Sequence, residues 1–287
     1  MIVVVGAGLW GARWADEKAD WRQTLPITGI AVNGIERQYH LFVPTSPPDG
    51  PMSLVVLLMG GDAGSWRFPQ QGRWEETAEQ EGIILAFPVG IVMPPNESAW
   101  QLNTDAQSRH DIDFVGAMID DISASHRVDP HAVYAVGYSL GSMFSYELAC
   151  QMSDRFAAIA SFAGSMPVSP KSCDPERNVP LMHVHGVKDP IIAYGQPWDW
   201  KSWDSVGTMR DIPSLVEFWR ERYDCQNERQ AESEGETHFV YDTCGQGARV
   251  EHYRLETHGH DWPDRLGGVS THRVMWSFLS SFTTPRR

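Results

Sequence analysis

Three residues that lie far apart in this 287-residue chain, Ser139, Asp189 and His260, are of the types that acyl-transfer chemistry uses. A serine hydroxyl attacks a carbonyl carbon only when a base takes its proton. That base in turn needs a carboxylate to fix its tautomer and stabilise the imidazolium. Ser139 is the centre of Gly137-Tyr138-Ser139-Leu140-Gly141, between an apolar run at 132–136 and a helical pattern. This is the layout of a strand that ends in a turn so sharp that the serine is pushed out ahead of a helix N-terminus. A chain of this composition shows a chance GxSxG roughly one time in ten, so the setting carries the reading more than the pentapeptide does. Asp189 stands in Val187-Lys188-Asp189-Pro190 behind the apolar run 181–184. His260 stands in the loop 257–263 behind the alternating segment 249–255. The order Ser, Asp, His is the one such a fold requires. Taken alone, Asp189 reads equally as an Asp-Pro turn, and His258 competes with His260 for the role of base.

The elements that must position these residues are legible as alternating buried strands and amphipathic helices. Residues 54–58, LVVLL, form a continuous apolar run, as expected of a strand covered on both faces. The run leads into Met59-Gly60-Gly61-Asp62-Ala63-Gly64, a glycine-rich loop that can turn the chain or aim backbone N–H groups at a developing oxyanion. Residues 37–43 alternate as a half-buried strand, and 83–87, 156–162 and 181–184 read as further strands. Residues 74–81, 212–223 and 274–282 read as helices, with Trp219 and Trp276 in the core. Val115, Met118, Ile119 and Ile122 recur at helical spacing behind Asp111, an N-cap candidate. The pattern predicts a mostly parallel central sheet with helices on both faces and reactive residues at the carboxyl ends of strands.

No linker divides the chain, so residues 27–287 are read as one catalytic domain behind a leader at 1–26. Gly6, Gly8 and Gly11 spell GxGxxG and mimic a dinucleotide fingerprint, with Glu36 as its acidic partner, but the segment between is short and turn-rich. The preferred reading is the apolar core of an export signal, with small residues at Ala12 and Ala15 and no basic segment in front. The net charge of −14 disfavours nucleic acid and anionic membranes as partners. No run of eighteen apolar residues predicts a membrane span. Cys150, Cys173, Cys225 and Cys244 allow two disulfides in three pairings, of which sequence proximity favours 150 with 173 and 225 with 244; four buried thiols are the alternative. The pairs His183/His185 and His258/His260 invite a metal reading, but no acidic ligand has the expected spacing, and no metal is expected. Twelve tryptophans are many, and Trp198, Trp200 and Trp203 crowd one segment behind Asp189. Such residues either cap a core edge or wall a cleft and stack on a ring-shaped substrate.

With these residues assembled, residues 30–282 resemble the esterase family that includes secreted polyhydroxybutyrate depolymerases and feruloyl and acetylxylan esterases. The likeness rests on VNGIERQYHLFVP, VDPHAVYAVGYSLGSMFSYELAC with RFAAIASFAG, HVHGVKDP, the paired Cys225 and Cys244, and HGHDWPD. It implies an α/β-hydrolase fold, secretion, no cofactor, and a triad of Ser139, Asp189 and His260. It also implies oxyanion donors at the N–H groups of Leu140 and Gly61. Trp198, Trp200 and Trp262 are the candidate substrate-binding residues. Where the family usually has His-Gly, this chain has Met59-Gly60. Asp62 adds a negative charge beside the oxyanion site, and Ser142 and Asp264 replace frequent glycines.

The reading is thus a serine carboxylic-ester hydrolase on polyhydroxybutyrate-type polyester, with a feruloyl or acetylxylan esterase as the alternative. A rival from another class, motivated by Met59, Asp62 and the tryptophans, is a non-catalytic carbohydrate-binding protein on a hydrolase fold. An oxidoreductase using the Gly6 motif is the third.

Overall fold

A computed structural model describes residues 24–61, 64, 66–93, 98–200 and 203–286. The dinucleotide-like glycines and the small residues at Ala12 and Ala15 lie outside them, as does Asp62. The strands are β1 (Ile27–Val32), β2 (Ile35–Phe42), β3 (Met52–Leu58), β4 (Ile83–Pro88), β5 (Val128–Tyr138), β6 (Ala158–Phe162) and β7 (Leu181–Gly186). They continue with β8 (Trp198–Asp199), β9 (Thr208–Met209), β10 (Asn227–Ser233), β11 (Glu236–Asp242), β12 (Val250–Leu255), β13 (Arg265–Leu266) and β14 (Val269–Ser270). The helices are α1 (Gln71–Glu81), α2 (His110–Ser125), α3 (Leu140–Gln151), α4 (Ile212–Arg222) and α5 (Thr271–Leu279).

One ten-stranded sheet runs in the order β1-β2-β4-β3-β5-β6-β7-β12-β11-β10. The block from β4 to β12 is parallel, whereas β1, β2, β10 and β11 extend it antiparallel at the two edges. Two-sided burial explains the unbroken apolar runs. Leu54, Val56 and Leu58 of β3 enter one core with α2, α3 and α4, while Val55 and Leu57 enter the other with α1 and α5. This is the α/β-hydrolase architecture, with helices on both faces of a mostly parallel sheet. Among the described residues no helix is long and apolar enough to cross a membrane.

Three local features differ from the sequence reading. Asp111 does not cap α2; it lies inside the helix, almost fully buried, 2.8 Å from the equally buried Arg37 guanidinium. Its other oxygen accepts the Gln101 N–H at 2.6 Å, so it clips a loop and β2 onto the helix instead of starting it. The turn-rich segment before Asn33-Gly34 forms β1, and residues 227–242 form a hairpin, each paired as an edge that alternation in one strand alone does not reveal. Leu25 is buried, and its carbonyl accepts from His40 Nδ1 at 3.1 Å, so chain assigned to the leader's end docks on β2.

Both proximal disulfides are formed, Cys150–Cys173 at the end of α3 and Cys225–Cys244 between the end of α4 and β11. Closing loops of this length stabilises a fold by about 3 kcal/mol each. Reduction of both bridges under native conditions is therefore expected to lower the melting temperature by about 10 °C; an unchanged melt would show that neither bridge constrains the unfolded chain.

Candidate functional site

Ser139 sits between the last residue of β5 and the first of α3 with φ 54° and ψ −117°, a region that L-residues avoid and glycine tolerates. Two backbone hydrogen bonds hold it there: Ser139 N–H donates to Phe162 O at 2.9 Å, and Met143 N–H donates to Ser139 O at 3.1 Å. The close crossing of α3 over β3 is what forces the tight turn. A Cβ on Gly141 would stand 2.0 Å from Leu58 O, so only glycine fits there. The β3–α1 connection comes equally near, since a Cβ on Gly60 would lie 2.6 Å from Ser139 Cβ and 3.0 Å from Leu140 N. The Gly60-Gly61 backbone therefore lies beside the helix N-terminus, where the Leu140 N–H is one of the unpaired donors of a first turn.

The strand ends of β7 and β12 deliver the other two groups. His260 Nε2 is 2.8 Å from Ser139 Oγ, and His260 Nδ1 is 2.8 Å from Asp189 Oδ2. Since a carboxylate only accepts, Nδ1 carries the proton and the Nε2 lone pair faces the serine hydroxyl. The two loops are latched to each other: Val187 N–H donates to Leu255 O at 2.8 Å and Lys188 N–H to His258 O at 2.9 Å. They meet at Gly186, where a Cβ would come within 2.3 Å of the carbonyls of His258 and Gly259. His258 thus contributes its backbone to the latch and leaves the ring position near serine to His260. Tyr138 Oη donates to His260 O at 3.0 Å and fixes the base from below.

Asp189 is buried, and its Oδ1 accepts the N–H groups of Ile191 and Ile192 at 2.8 and 2.9 Å. Burial alone would raise the carboxyl pKa. Hydrogen bonds from His185 and His260, together with the backbone of Ile192, outweigh it and hold Asp189 well below the usual carboxylate range. The site therefore brings together a serine hydroxyl, an imidazole in the tautomer that can take its proton and an ionised carboxylate, an arrangement able to support acyl transfer.

Trp100 belongs to this arrangement and carries no sequence signal. Trp100 Nε1 donates to Met59 O at 2.8 Å while its ring stacks on Phe144 at 4.9 Å, which orders the loop in which Met59 stands in place of histidine. Ser142 packs into the core with its Oγ bonded to Ser161 Oγ, and Asp264 accepts from Gln70 Nε2 at 2.9 Å. His183 and His185 lie on one face of β7 with nitrogens 3.1 Å apart, bonded to each other and to neighbours instead of converging on a common point. Among the tryptophans, half-buried Trp262 packs edge-on against Phe68 and Phe162, and half-buried Trp198 packs edge-on against Trp200. Trp200 itself is buried in the core, so it supports the segment and offers little face to a substrate.

Comparison with known proteins agrees with this architecture. The profile of the dienelactone hydrolase family matches residues 95–201. The chain is 25% identical over 258 residues to the bifunctional acetylxylan esterase/xylanase XynS20E of Neocallimastix patriciarum, covering 87% of this chain and 34% of that protein. It is 25% identical over 228 residues to feruloyl esterase B of Piromyces equi, covering 78% of this chain and 41% of the relative. The chain therefore spans about a third of the length of the first relative and about two fifths of the second. The solved acetyl xylan esterase from Aspergillus awamori superposes with a TM-score of 0.60 at 12% identity, over 89% of this chain and 99% of that one, a likeness of fold. The resemblance to the esterase family of α/β hydrolases is borne out by these matches.

The backbone at Ser139 yields a stability prediction. Ser139→Gly and Ser139→Ala both remove the hydroxyl, but only glycine relieves the strained conformation. The glycine variant is expected to be more stable than the alanine variant by about 1–2 kcal/mol. Urea denaturation of the two variants measures this, and equal midpoints would mean that the turn stores no strain.

Proposed function

We propose that this α/β-hydrolase-fold chain is a serine carboxylic-ester hydrolase whose substrates are feruloyl or acetyl esters on plant polysaccharide. The observation that carries the reading is the pair of 2.8 Å contacts linking Ser139, His260 and Asp189 through opposite ring nitrogens. His260 takes the Ser139 proton as Oγ attacks the ester carbonyl, and the imidazolium is stabilised by the Asp189 carboxylate. The N–H groups of Leu140 and Gly61 receive the oxyanion. His260 then protonates the leaving alkoxide, and the acyl-enzyme forms as the carbon–oxygen bond breaks. Water, deprotonated by the same imidazole, releases the acid and restores the hydroxyl.

The substrate class is supported by the names of the relatives and by the half-buried rings of Trp198 and Trp262, which suit a flat acyl group or a sugar ring. The sequence resemblance also keeps a hydroxybutyrate polyester as a substrate, so that ester belongs in the same assay. The disulfides support export to an oxidising compartment, a reading that recovery of the native protein in the reduced cytosol would overturn. A carbohydrate-binding role without catalysis would leave the ionised, hydrogen-bonded acid without a purpose.

Ser139→Ala is expected to lower kcat/KM on p-nitrophenyl acetate by about 10³-fold or more while the protein stays folded. Retention of full activity would sink the assignment. Comparison of methyl ferulate, acetylated xylan and a hydroxybutyrate dimer is expected to give the highest kcat/KM on one of the first two; preference for the dimer would move the substrate to the polyester class.

A further inference from the structure

Beside Asp189, four buried side chains, Tyr146, Ser161, His183 and His185, form a continuous hydrogen-bond chain that the mechanism above does not use. His185 Nε2 is 3.0 Å from Ile192 O and 3.3 Å from Asp189 Oδ2. Both neighbours only accept, so Nε2 must carry the proton and Nδ1 the lone pair. That lone pair faces His183 Nε2 at 3.1 Å, which must therefore be protonated, leaving His183 Nδ1 to accept. Tyr146 Oη, 2.7 Å from His183 Nδ1, supplies the proton, with Ser161 Oγ at 3.2 Å beside it. The carbonyl of Ile192 and the Asp189 carboxylate at one end thus dictate the tautomer of both rings. Every N–H and O–H from Tyr146 to His185 points toward the acid.

The surroundings keep His183 and Tyr146 neutral. His183 and His185 are fully buried. Burial, together with His185 and His252, pushes His183 well below the usual histidine range, and burial pushes the Tyr146 hydroxyl up so that it keeps its proton. The titratable and charged groups facing the rings are Tyr146 on α3, His252 and Arg254 on β12, Tyr194 after β7, and Asp189 with His260. His252 donates from Nδ1 to His183 O at 3.1 Å and accepts at Nε2 from Tyr194 Oη at 2.9 Å, so it too is fixed as a neutral ring, its pKa pushed down to about 3 by burial.

We propose that Tyr146, His183 and His185 are positioning residues, a buried hydrogen-bond chain that locks the Nε2–H tautomer of His185 and thereby holds the Asp189 carboxylate on His260. The inference rests on the reading of Asp189 as the acid of an ester hydrolase. An imidazole facing a carboxylate can present either a proton or a lone pair, and the wrong choice would set a lone pair against a buried negative charge. Ile192 O and Asp189 set that choice, and His183 and Tyr146, donating in turn, satisfy the Nδ1 lone pairs that it leaves. No proton need travel along the chain; its effect is orientation and charge dispersal. Without the His185 donor, Asp189 becomes a stronger acceptor for His260 Nδ1–H, the imidazolium is favoured, and the base loses its proton only at higher pH.

Two measurements test this. In the wild-type protein labelled with ¹⁵N-histidine, nitrogen–proton correlation spectra at pH 8 are expected to show His183 and His185 as Nε2–H tautomers. An Nδ1–H His185, or a doubly protonated ring, overturns the proposal whatever the chain hydrolyses. In pH–rate profiles on p-nitrophenyl acetate, His185→Leu is expected to lower kcat by about tenfold or more, with KM little changed, and to move the acid limb of kcat/KM upward by about half a unit. His185→Gln, which keeps an N–H donor, is expected to recover most of the loss. Tyr146→Phe, a mild change that keeps the ring packed on Trp219, is expected to shift the limb the same way by less. An active wild type whose His185→Leu and Tyr146→Phe variants keep the wild-type profile overturns the proposal alone. An inactive wild type overturns the hydrolase reading, and the catalytic role of the chain with it.

Discussion

The backbone of one residue constrains much of this structure. At φ 54° and ψ −117°, Ser139 occupies a conformation that costs about 1–3 kcal/mol in an L-residue, and nothing in its own side chain offsets that cost. The surroundings do. β3 and β6 flank β5 in parallel register, and Phe162 at the end of β6 accepts the Ser139 N–H, while α3 begins at once and crosses Leu58 so closely that Gly141 has no alternative. The reward is geometric. The hydroxyl stands clear of strand and helix, where a base from a different strand can reach it, and the free N–H groups of a helix start lie beside it.

A second theme is how burial and hydrogen bonding oppose each other around ionisable groups. Asp189 is buried yet held ionised, because two imidazoles and two backbone N–H groups donate to it. Glu147, also fully buried, is pushed up by desolvation, while its carboxyl accepts from the N–H groups of Asn103 and Thr104 and from Gln151. Asn103 in turn bonds Val206 O and Lys171 N–H, so this one carboxyl organises three loops. Arg37 and Asp111 make a third buried pair. In each case the polar group positions chain that apolar packing alone would leave free, and removing one partner would strand the other in a low-dielectric interior.

Much of the fold was legible because two-sided burial writes itself into the sequence: LVVLL at 54–58 and the run before Gly137 have no polar residue to spare for solvent. Ser139, Asp189 and His260 were legible as candidates because the fold prescribes both their order and their place behind strands. The helix signal at Asp111 misled, since the same residue type that caps a helix also pairs with a buried arginine, and only the position of Arg37 on β2 distinguishes the two. The edge strand β10 was missed because an exposed run of Asn, Glu, Arg and Gln has no apolar face to announce it, and half-buried β11, with Phe239, Val240 and Tyr241, was missed with it. Trp100 and the His183–His185 chain were out of reach for a different reason. Their roles are set by partners 41, 37 and 4 positions away, a relation of space and not of pattern.

The most direct test of the whole account is the reactivity of Ser139 itself. Incubation of the folded protein with a fluorophosphonate, followed by intact-mass measurement and peptide mapping, is predicted to give one adduct per chain, on the peptide carrying Ser139, and none after urea unfolding. No adduct on the folded protein, or one on a different residue, would contradict the proposal that the strained turn, His260 and Asp189 together make this serine a nucleophile.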